Sequence, residues 1–211
     1  HTDLISARFR ELWGTFELSH DFFIRTTDPE HVAWVQRILE RIHEAGDIYK
    51  DTYGGWYCTS CEAFYAEADL VDDRLCPQHR RPVEWVEEEN WFFRLSAYRD
   101  RLLRLFDENP TFVRPAHRLN EARRIVEQVE DISISRANVT WGVPVPWDPE
   151  HVVYVWVDAL LNYVTAPHYA VPDRELSDRF WPADVHVIGK DILKFHAVIW
   201  PALLMAADIE P

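Results

Sequence analysis

The fold class follows from residues 185–195, which read VHVIGKDILKF. The apolar-rich residues 185–188 precede a short turn at Gly189-Lys190-Asp191 and then apolar residues at helical spacing, which predicts a strand, a tight turn and a helix. Residues 152–157, VVYVWV, form a second apolar run, typical of a parallel strand covered on both faces. We therefore predict an α/β fold with a parallel sheet, and ligands beyond the carboxyl ends of its strands, at residues 156–163 and 189–196.

Further segments carry signals for helices and for one hairpin. Asp28 and Pro29 offer an N-cap and a first helical residue ahead of an apolar stripe, which Gly46 ends. Between residues 48 and 64, short aromatic runs surround Gly54-Gly55, which predicts a hairpin there. Two more amphipathic helices are expected, and the last helix has one apolar side. Their apolar residues are Leu95, Tyr98, Leu102 and Leu105; Leu119, Ala122, Val126 and Val129; and Ile192, Phe195, Ile199, Leu203 and Ala206.

The composition excludes several classes of protein. Hydrophobic residues make up 47% of the 211 residues, enough for a sizeable core, and no apolar run reaches the roughly 20 residues of a membrane span. We expect a globular, cytoplasmic chain without a membrane partner. The net charge of −14 repels nucleic acid phosphates, so any RNA contact must be local. Acidic residues interleave the basic stretch between Arg94 and Arg124, which favours a solvated helix face over an RNA site.

All three cysteines belong to one paired pattern. Cys58 and Cys61 form a CxxC, and after a gap of 14 residues Cys76 and His79 form a CxxH. Two such chelating turns supply four tetrahedral ligands for Zn²⁺, and because all four come from the protein, the site is predicted to be structural. Bound metal would stabilise a module too small for its own core. Two alternatives stay open: ordinary buried thiols, and a CxxC redox pair, which leaves the third cysteine and the histidine without a role.

Five stretches, in this order, resemble bacterial methionine–tRNA ligases, which are class I aminoacyl-tRNA synthetases. Members of this class specific for isoleucine, valine, leucine and cysteine share the general core. The cysteine–histidine pattern followed directly by an aromatic and acidic run is what favours methionine, and the resemblance covers essentially the whole chain. The stretches are residues 84–96 (EWVEEENWFFRLS), 131–136 (DISISR), 141–146 (WGVPVP), 154–159 (YVWVDA) and 188–196 (IGKDILKFH).

The resemblance implies a Rossmann-like core of parallel strands, interrupted by a zinc-binding connective module. Residues 1–47 would close the first half of the core, residues 48–131 would form the module, and residues 132–211 would open the second half. The implied reaction joins L-methionine to ATP, releases pyrophosphate and passes the acyl group to tRNA(Met). The implied cofactor is structural Zn²⁺, and ATP is a substrate, expected together with Mg²⁺.

Six residues match family positions that shape the methionine pocket. A thioether is polarizable and gains from contact with aromatic rings, so Trp156, Tyr163 and Trp200 suit this role, while His196 and Tyr163 supply polar tips. The alternative from the residues alone is plain core packing. Leu160 stands where some family members have proline, so the local shape of the pocket departs from the family pattern there. The six residues are Trp156, Leu160, Tyr163, Ile192, His196 and Trp200.

Four residues match family positions around the reacting groups. Arg136 matches a position that faces the substrate carboxylate and the reacting phosphate, and a guanidinium fork suits both anions. The alternative for Arg136 is a surface salt bridge. Gly189, Lys190 and Asp191 match ATP-site positions, and Arg136 and Asp191 are the predicted catalytic residues. Asp191 serves, in the alternative reading, only as a helix cap. The pattern is not a P-loop, because the first glycine and the Ser or Thr after lysine are absent.

Two signatures that hold ATP phosphates in class I enzymes, HIGH-like and KMSKS-like sequences, are absent from the 211 residues. The chain also has no initiator methionine, since its one methionine is Met205. We therefore expect a central piece of a longer enzyme that is inactive, or nearly so, on its own. The alternative function is a noncatalytic zinc-binding module that contacts tRNA or a protein partner.

Overall fold

A computed structural model gives the fold and describes residues 1–60, 63–65, 67–72, 74–172 and 174–211. Among these residues, no helix has both the length and the apolar character needed to cross a bilayer. Short 3₁₀ turns and one π-helical turn accompany the α-helices. The α-helices are α1 (Thr2–Thr15), α2 (Pro29–Glu44), α3 (Arg99–Glu108), α4 (Ala116–Glu127), α5 (Val155–Tyr169), α6 (Ser177–Phe180) and α7 (Trp200–Ala206); the 3₁₀ turns are Glu67–Asp69, Leu95–Tyr98 and Lys190–Ile192, and the π-helical turn is Phe195–Ile199.

The strands form two antiparallel sheets in the part of the chain that the structure describes. They are β1 (Ile48–Cys58), β2 (Ala63–Tyr65), β3 (Glu84–Phe93), β4 (Ile132–Ser133), β5 (Ser135–Arg136), β6 (Pro144–Val145) and β7 (Asp148–Val153). The first sheet has the order β2-β1-β3-β4 and the second β5-β7-β6. All of these pairings are antiparallel. The prediction of a parallel sheet is therefore wrong for these residues, and the fold is mixed α/β with antiparallel sheets.

Helix α2 forms as predicted. Asp28 is its N-cap residue and Pro29 its first residue, a position where the missing proline N–H leaves no helical hydrogen bond unmade. Gly46 follows the last turn with a φ of 85°, a left-handed conformation that favours glycine. The helix is thus bounded by the two signals that the sequence carries.

Strands β1 and β3 form a long antiparallel ribbon, with Ile48 opposite Phe93 at its base. The predicted hairpin at Gly54-Gly55 is wrong, because β1 runs straight through both glycines. A Cβ atom at Gly54 would lie 2.9 Å from Cζ2 of Trp85, so the glycine makes room for a tryptophan on the neighbouring strand. The chain reverses after Cys58 instead, where β1 leads into β2.

Residues 152–157 are divided between a strand and a helix and do not form the predicted parallel strand. Strand β7 ends at Val153, and α5 begins at Val155, whose side chain is 57% exposed. A continuous apolar run does not by itself distinguish a buried strand from the start of a buried helix. Downstream, the apolar buried residues of α5 recur at spacings of three and four: Val157, Leu160, Leu161 and Val164.

Residues 185–188 do not form the predicted strand. Val185 is 73% exposed and Val187 is 93% exposed, and no strand of the described residues lies beside them to accept their backbone hydrogen bonds. The helix predicted after them is present in an irregular form. It consists of the 3₁₀ turn Lys190–Ile192, the π-helical turn Phe195–Ile199 and α7.

Most buried apolar residues belong to one core, which joins α2, the base of the ribbon, α3, α4, α5 and α7. The tip of the ribbon has a separate small cluster made of Cys58, Cys76 and Val83. The two helices assigned to the connective module, α3 and α4, therefore share a core with residues 132–211. The domain boundaries after residues 47 and 131 remain predictions.

Asp131 ties the base of the ribbon to the segment that precedes α3. Its carboxylate accepts hydrogen bonds from the Tyr49 hydroxyl at 2.9 Å and from the backbone N–H and hydroxyl of Ser96 at 3.0 and 2.6 Å. Burial by itself raises the pKa of Asp131, but the hydrogen bonds from Ser96 and Tyr49 outweigh it and hold the pKa below its usual value. The carboxylate form is therefore the one that stabilises the fold.

We expect Asp131→Asn to lower the free energy of unfolding by about 1 to 3 kcal/mol at neutral pH, because polar groups of Ser96 lose a charged acceptor. The folded-state pKa lies below the unfolded one, so the contribution is complete above about pH 4 and is lost as the pH falls through the folded-state pKa. Urea unfolding of the unmodified protein and of Asp131→Asn, at about pH 7 and about pH 3, measures the difference in their free energies of unfolding at each pH. A difference that stays constant with pH, or that also appears for the exposed Asp100→Asn, would contradict this role.

Candidate substrate site and metal site

Helix α5 and the segment of residues 192–199 border a cavity of about 180 Å³. Trp156 and Leu160 face it from α5, four residues apart and therefore on one side of the helix. Ser133, close to Arg136 in sequence, contributes to the wall from the sheet side. The residues that line the cavity are Ile132, Ser133, Tyr154, Trp156, Val157, Leu160, Lys194, Phe195 and Ile199.

The rings of Trp156 and Phe195 stack across this cavity wall. Their centroids are 4.3 Å apart and their planes differ by 18°. The sequence places Phe195 in the predicted ligand segment of residues 189–196 and on the apolar side of a helix, but not among the six predicted pocket residues. No local pattern reveals this contact, because it joins two segments that are distant along the chain.

Tyr163 and His196 form a hydrogen-bonded pair. Nδ1 of His196 lies 3.1 Å from the carbonyl oxygen of Ile192, which can only accept, so Nδ1 carries the proton and donates. Nε2 is then the acceptor, and the Tyr163 hydroxyl donates to it at 2.8 Å. Burial raises the pKa of Tyr163, which keeps this hydroxyl protonated.

The six predicted pocket residues fall into two groups. Trp156 and Leu160 line the cavity, whereas Tyr163, His196 and Trp200 form a second cluster outside its lining. In that cluster the ring centroids of Tyr163 and Trp200 are 5.9 Å apart. Ile192 joins the second group because its backbone carbonyl accepts the hydrogen bond from Nδ1–H of His196. The first group lies on α5, and the second joins α5 to residues 192–200.

Arg136 is held in place by neutral groups. Its Nη1 donates to Ser133 Oγ at 3.0 Å and to the Ser135 carbonyl at 2.7 Å, and its guanidinium lies 4.2 Å from the ring centroid of Tyr154. Among the described residues, no carboxylate forms an ion pair with it. The surface salt bridge considered as the alternative for Arg136 is thus not formed within the described chain.

The turn at Gly189-Lys190-Asp191 faces α4 across a second, open cavity of about 360 Å³. Asp191 is exposed, and neither the 3₁₀ turn after Gly189 nor the π-helical turn has a side-chain cap. The helix-cap alternative for Asp191 therefore has no hydrogen bond to support it. Arg118 of α4, a residue the sequence did not single out, also lies at this cavity. Its lining is Arg118, Glu121, Ile125, Lys190, Asp191, Leu193 and Lys194.

Three of the four predicted metal ligands come together at the tip of the ribbon. The ligand atoms of Cys58, Cys76 and His79 all lie within 4.8 Å of one another. Both cysteines are buried, and the His79 backbone N–H lies 3.5 Å from Cys76 Sγ. The fourth predicted ligand, Cys61, lies outside the described residues. Two thiols and an imidazole are a donor set that fits Zn²⁺.

Comparison with known families places the chain in one class of enzyme. The family described as tRNA synthetases class I (M) matches residues 1–82 and 75–211, and so covers the whole length of the chain. The ribbon, the cavity beside α5 and the metal-ligand cluster all lie within this matched region. The fold is that of a class I aminoacyl-tRNA synthetase.

Individual relatives show which family within this class of enzyme the chain belongs to. The chain is 49% identical over 98% of its length to a methionine–tRNA ligase of Thermotoga maritima and 50% identical over 99% of its length to that of Caldanaerobacter subterraneus, and it spans 33% of each. A crystal structure of Mycobacterium tuberculosis methionyl-tRNA synthetase with bound methionyl-adenylate matches 96% of this chain and 41% of its own, with 48% identity and a TM-score of 0.86. The chain belongs to the methionine–tRNA ligase family, and it spans about a third of the length of these curated relatives.

Proposed function

We propose that the full-length protein carrying this chain activates L-methionine with ATP and transfers it to tRNA(Met). The observation that carries the proposal is the aromatic cavity at Trp156 and Phe195, in a chain of the methionine–tRNA ligase family. The solved relative from M. tuberculosis has methionyl-adenylate bound, the product of such an activation. The rival reading, a noncatalytic zinc-binding module, provides no role for this cavity.

The walls of the cavity suit the thioether of methionine. Sulfur is polarizable and gains from contact with the edges and faces of aromatic rings, which Trp156 and Phe195 supply. The Tyr163 hydroxyl and His196 add a polar pair one turn further along α5. Trp156, Leu160, Tyr163, Ile192, His196 and Trp200 are the residues that we propose as the methionine site.

Arg136 and the Gly189 turn are proposed to act on the reacting groups. The guanidinium of Arg136 is oriented before substrate binds, so it costs little reorganisation to stabilise charge that develops on the phosphate during attack by the methionine carboxylate. Gly189, Lys190 and Asp191 would contact ATP, which we expect to enter with Mg²⁺. Lys190 is suited to a phosphate as a point charge, and we propose Arg136 and Asp191 as the catalytic residues.

The cluster at the ribbon tip is proposed to hold a structural Zn²⁺, with Cys61 completing the set of Cys58, Cys76 and His79. Four protein ligands leave no position for an activated water. The metal would add stability that the small apolar cluster described at the tip does not provide by itself. Residues 48–131 would then be the connective module between the two parts of the core.

The proposed function is tested by methionine-dependent exchange of pyrophosphate into ATP. We expect the full-length protein to catalyse the exchange with L-methionine and only weakly with L-leucine, since the aromatic contacts favour sulfur. Charging of tRNA(Met) with radiolabelled methionine tests the second step. A full-length protein that binds zinc but supports neither reaction would overturn the proposal in favour of a noncatalytic module.

His196→Ala is expected to raise KM for methionine about tenfold, because the Tyr163 hydroxyl then loses its acceptor and the polar side of the site is disordered. Exchange kinetics of the full-length protein measure it. Tyr163→Phe should cause part of the same increase, whereas the exposed His117→Ala on α4 serves as the matched control and should leave KM unaltered. An unaltered KM in His196→Ala would remove His196 from the proposed methionine site.

A further inference from the structure

A fully buried histidine connects α2 to α5. His31, in the first turn of α2, has an exposed fraction of 0%. Its Nε2 lies 2.8 Å from Oδ1 of Asp158, and its Nδ1 lies 2.7 Å from Oγ1 of Thr165. Asp158 and Thr165 are also buried, so this group of three polar side chains lies inside the interface between the two helices.

The direction of the hydrogen bonds follows from the carboxylate, which can only accept. Nε2–H of His31 donates to Oδ1 of Asp158. In this tautomer Nδ1 is the acceptor, and the Thr165 hydroxyl donates to it. A single ring therefore bridges two points of α5, and loss of either bond leaves a buried polar atom without its partner.

These two points lie on the face of α5 opposite to the cavity. Asp158 and Thr165 are seven residues apart, almost two turns, and so share one face. At about 100° per residue, Trp156, Leu160 and Tyr163 are about 140° to 160° from Asp158 around the helix axis. His31 thus holds the back of the helix whose front carries three proposed methionine contacts.

Apolar packing alone would fix the rotation of α5 less sharply than the two hydrogen bonds of His31 do. Replacing a buried polar group by an apolar one often leaves stability unaffected, and the best-attested effect of such groups is to specify one register between packed elements. The other buried residues on α5 are mainly aliphatic, and such side chains accept small rotations of a helix. The bridge from His31 permits only the rotation at which both of its bonds are made.

We infer that His31 is a positioning residue for the methionine site: by bridging Asp158 and Thr165 it fixes the rotation of α5 and so directs Trp156, Leu160 and Tyr163 towards the substrate. That Trp156, Leu160 and Tyr163 contact methionine rests on the proposed function. His31 itself is buried behind α5 and contacts no substrate.

The test compares His31→Phe with Val35→Ala in the full-length protein. Phe keeps the ring volume but removes both hydrogen bonds, whereas Val35→Ala leaves a cavity in the same helix and leaves the bridge intact. We expect KM for methionine in the exchange reaction to rise about tenfold or more in His31→Phe, because small misplacements of contact residues are costly. In Val35→Ala, KM should stay within about twofold, and kcat should change less than KM in both variants.

Crystal structures of the same variants give a readout that does not depend on activity. In His31→Phe, the Trp156 and Tyr163 side chains should be rotated together about the α5 axis, and in Val35→Ala they should not. Equal KM values in the two variants, or an unrotated α5 in His31→Phe, would overturn the inference. If the unmodified protein shows no exchange, the proposed function fails, and the crystal structures alone decide the positioning role.

A second variant serves if His31→Phe does not fold. Thr165→Val is nearly isosteric and removes one of the two bonds, so we expect a smaller increase in KM, about threefold. A KM for Thr165→Val equal to that of the unmodified protein, with α5 unrotated in its crystal structure, would equally overturn the inference.

Discussion

Replacing Cys76 with serine should reduce the zinc content of the full-length protein from about one equivalent to none and make the tip of the ribbon sensitive to proteases. Structural zinc sites of this kind contribute about 10 to 16 kcal/mol of apparent binding energy, the largest single term expected at any one site of this chain. The buried cluster that the structure describes at the tip consists of Cys58, Cys76 and Val83, with Trp56, Tyr65 and Leu70 packed against it, so few apolar contacts would hold the tip together without metal. Metal analysis and limited proteolysis measure both effects.

Val83→Ala is the matched control for this prediction, because it removes an apolar side chain from the same cluster without touching a ligand. It should retain the full zinc equivalent and lose only about 1 to 2.5 kcal/mol of local stability. Exchange activity of Cys76→Ser should decline less than its zinc content, since the cluster lies outside the main core. Full zinc in Cys76→Ser would remove Cys76 from the ligand set, and the buried-thiol alternative would then apply.

Replacing Arg136 with alanine should lower kcat for pyrophosphate exchange by about 10²- to 10³-fold, the usual effect of removing one preorganised group that stabilises transition-state charge. Arg136→Lys should recover only part of this loss, because an ammonium cannot bind two oxygens in the plane of a fork. The side chain is already fixed by Ser133, Ser135 and Tyr154. Its contribution therefore depends on a geometry that lysine does not reproduce.

Arg99→Ala provides the comparison for Arg136→Ala. Arg99 also donates to a backbone carbonyl, that of Val129 at 3.1 Å, but Val129 lines neither cavity, whereas Ser133 and Tyr154, which contact Arg136, line the first one. We expect kcat of Arg99→Ala to stay within about threefold of the unmodified protein. A similar loss in both variants, or a melting temperature that falls only in Arg136→Ala, would mean that Arg136 supports the fold instead of the reaction.

Local signals predicted α2, α3 and α4 well and the strands less well, and they did not predict α1 or α6. Asp28, Pro29 and Gly46 mark the ends of α2 by backbone chemistry that needs no distant partner. A strand depends on its neighbours. The apolar run at residues 152–157 therefore predicted a parallel strand, whereas the observed strand β7 pairs antiparallel and ends at Val153. Gly54 was interpreted as a turn residue for a similar reason. A side chain at this position would collide with the Trp85 ring on the neighbouring strand, a contact that the local sequence does not reveal.

The candidate site was predictable only in part, because some of its contacts join segments that are distant along the chain. Trp156 and Leu160 were predicted from the family resemblance, and they line one cavity because their spacing of four residues puts them on one side of a helix. Phe195 and Arg118 were not among the predicted site residues, since their neighbours in space come from other segments. His31 gave no signal at all, because a histidine in an apolar helix looks like any other buried residue until its two partners on α5 are known.

The ribbon of β1 and β3 has a hydrophobic cluster at each end. At about 3.3 Å per residue, the 11 residues of β1 carry the small cluster at its tip some 33 Å from the base, which belongs to the main core. Opening of the tip therefore breaks none of the apolar contacts that hold α2, α5 and α7 together. Without metal, amide hydrogens near Cys76 should exchange through local fluctuations and those near Phe93 only through global unfolding. We therefore expect the two ends of the ribbon to differ in local stability.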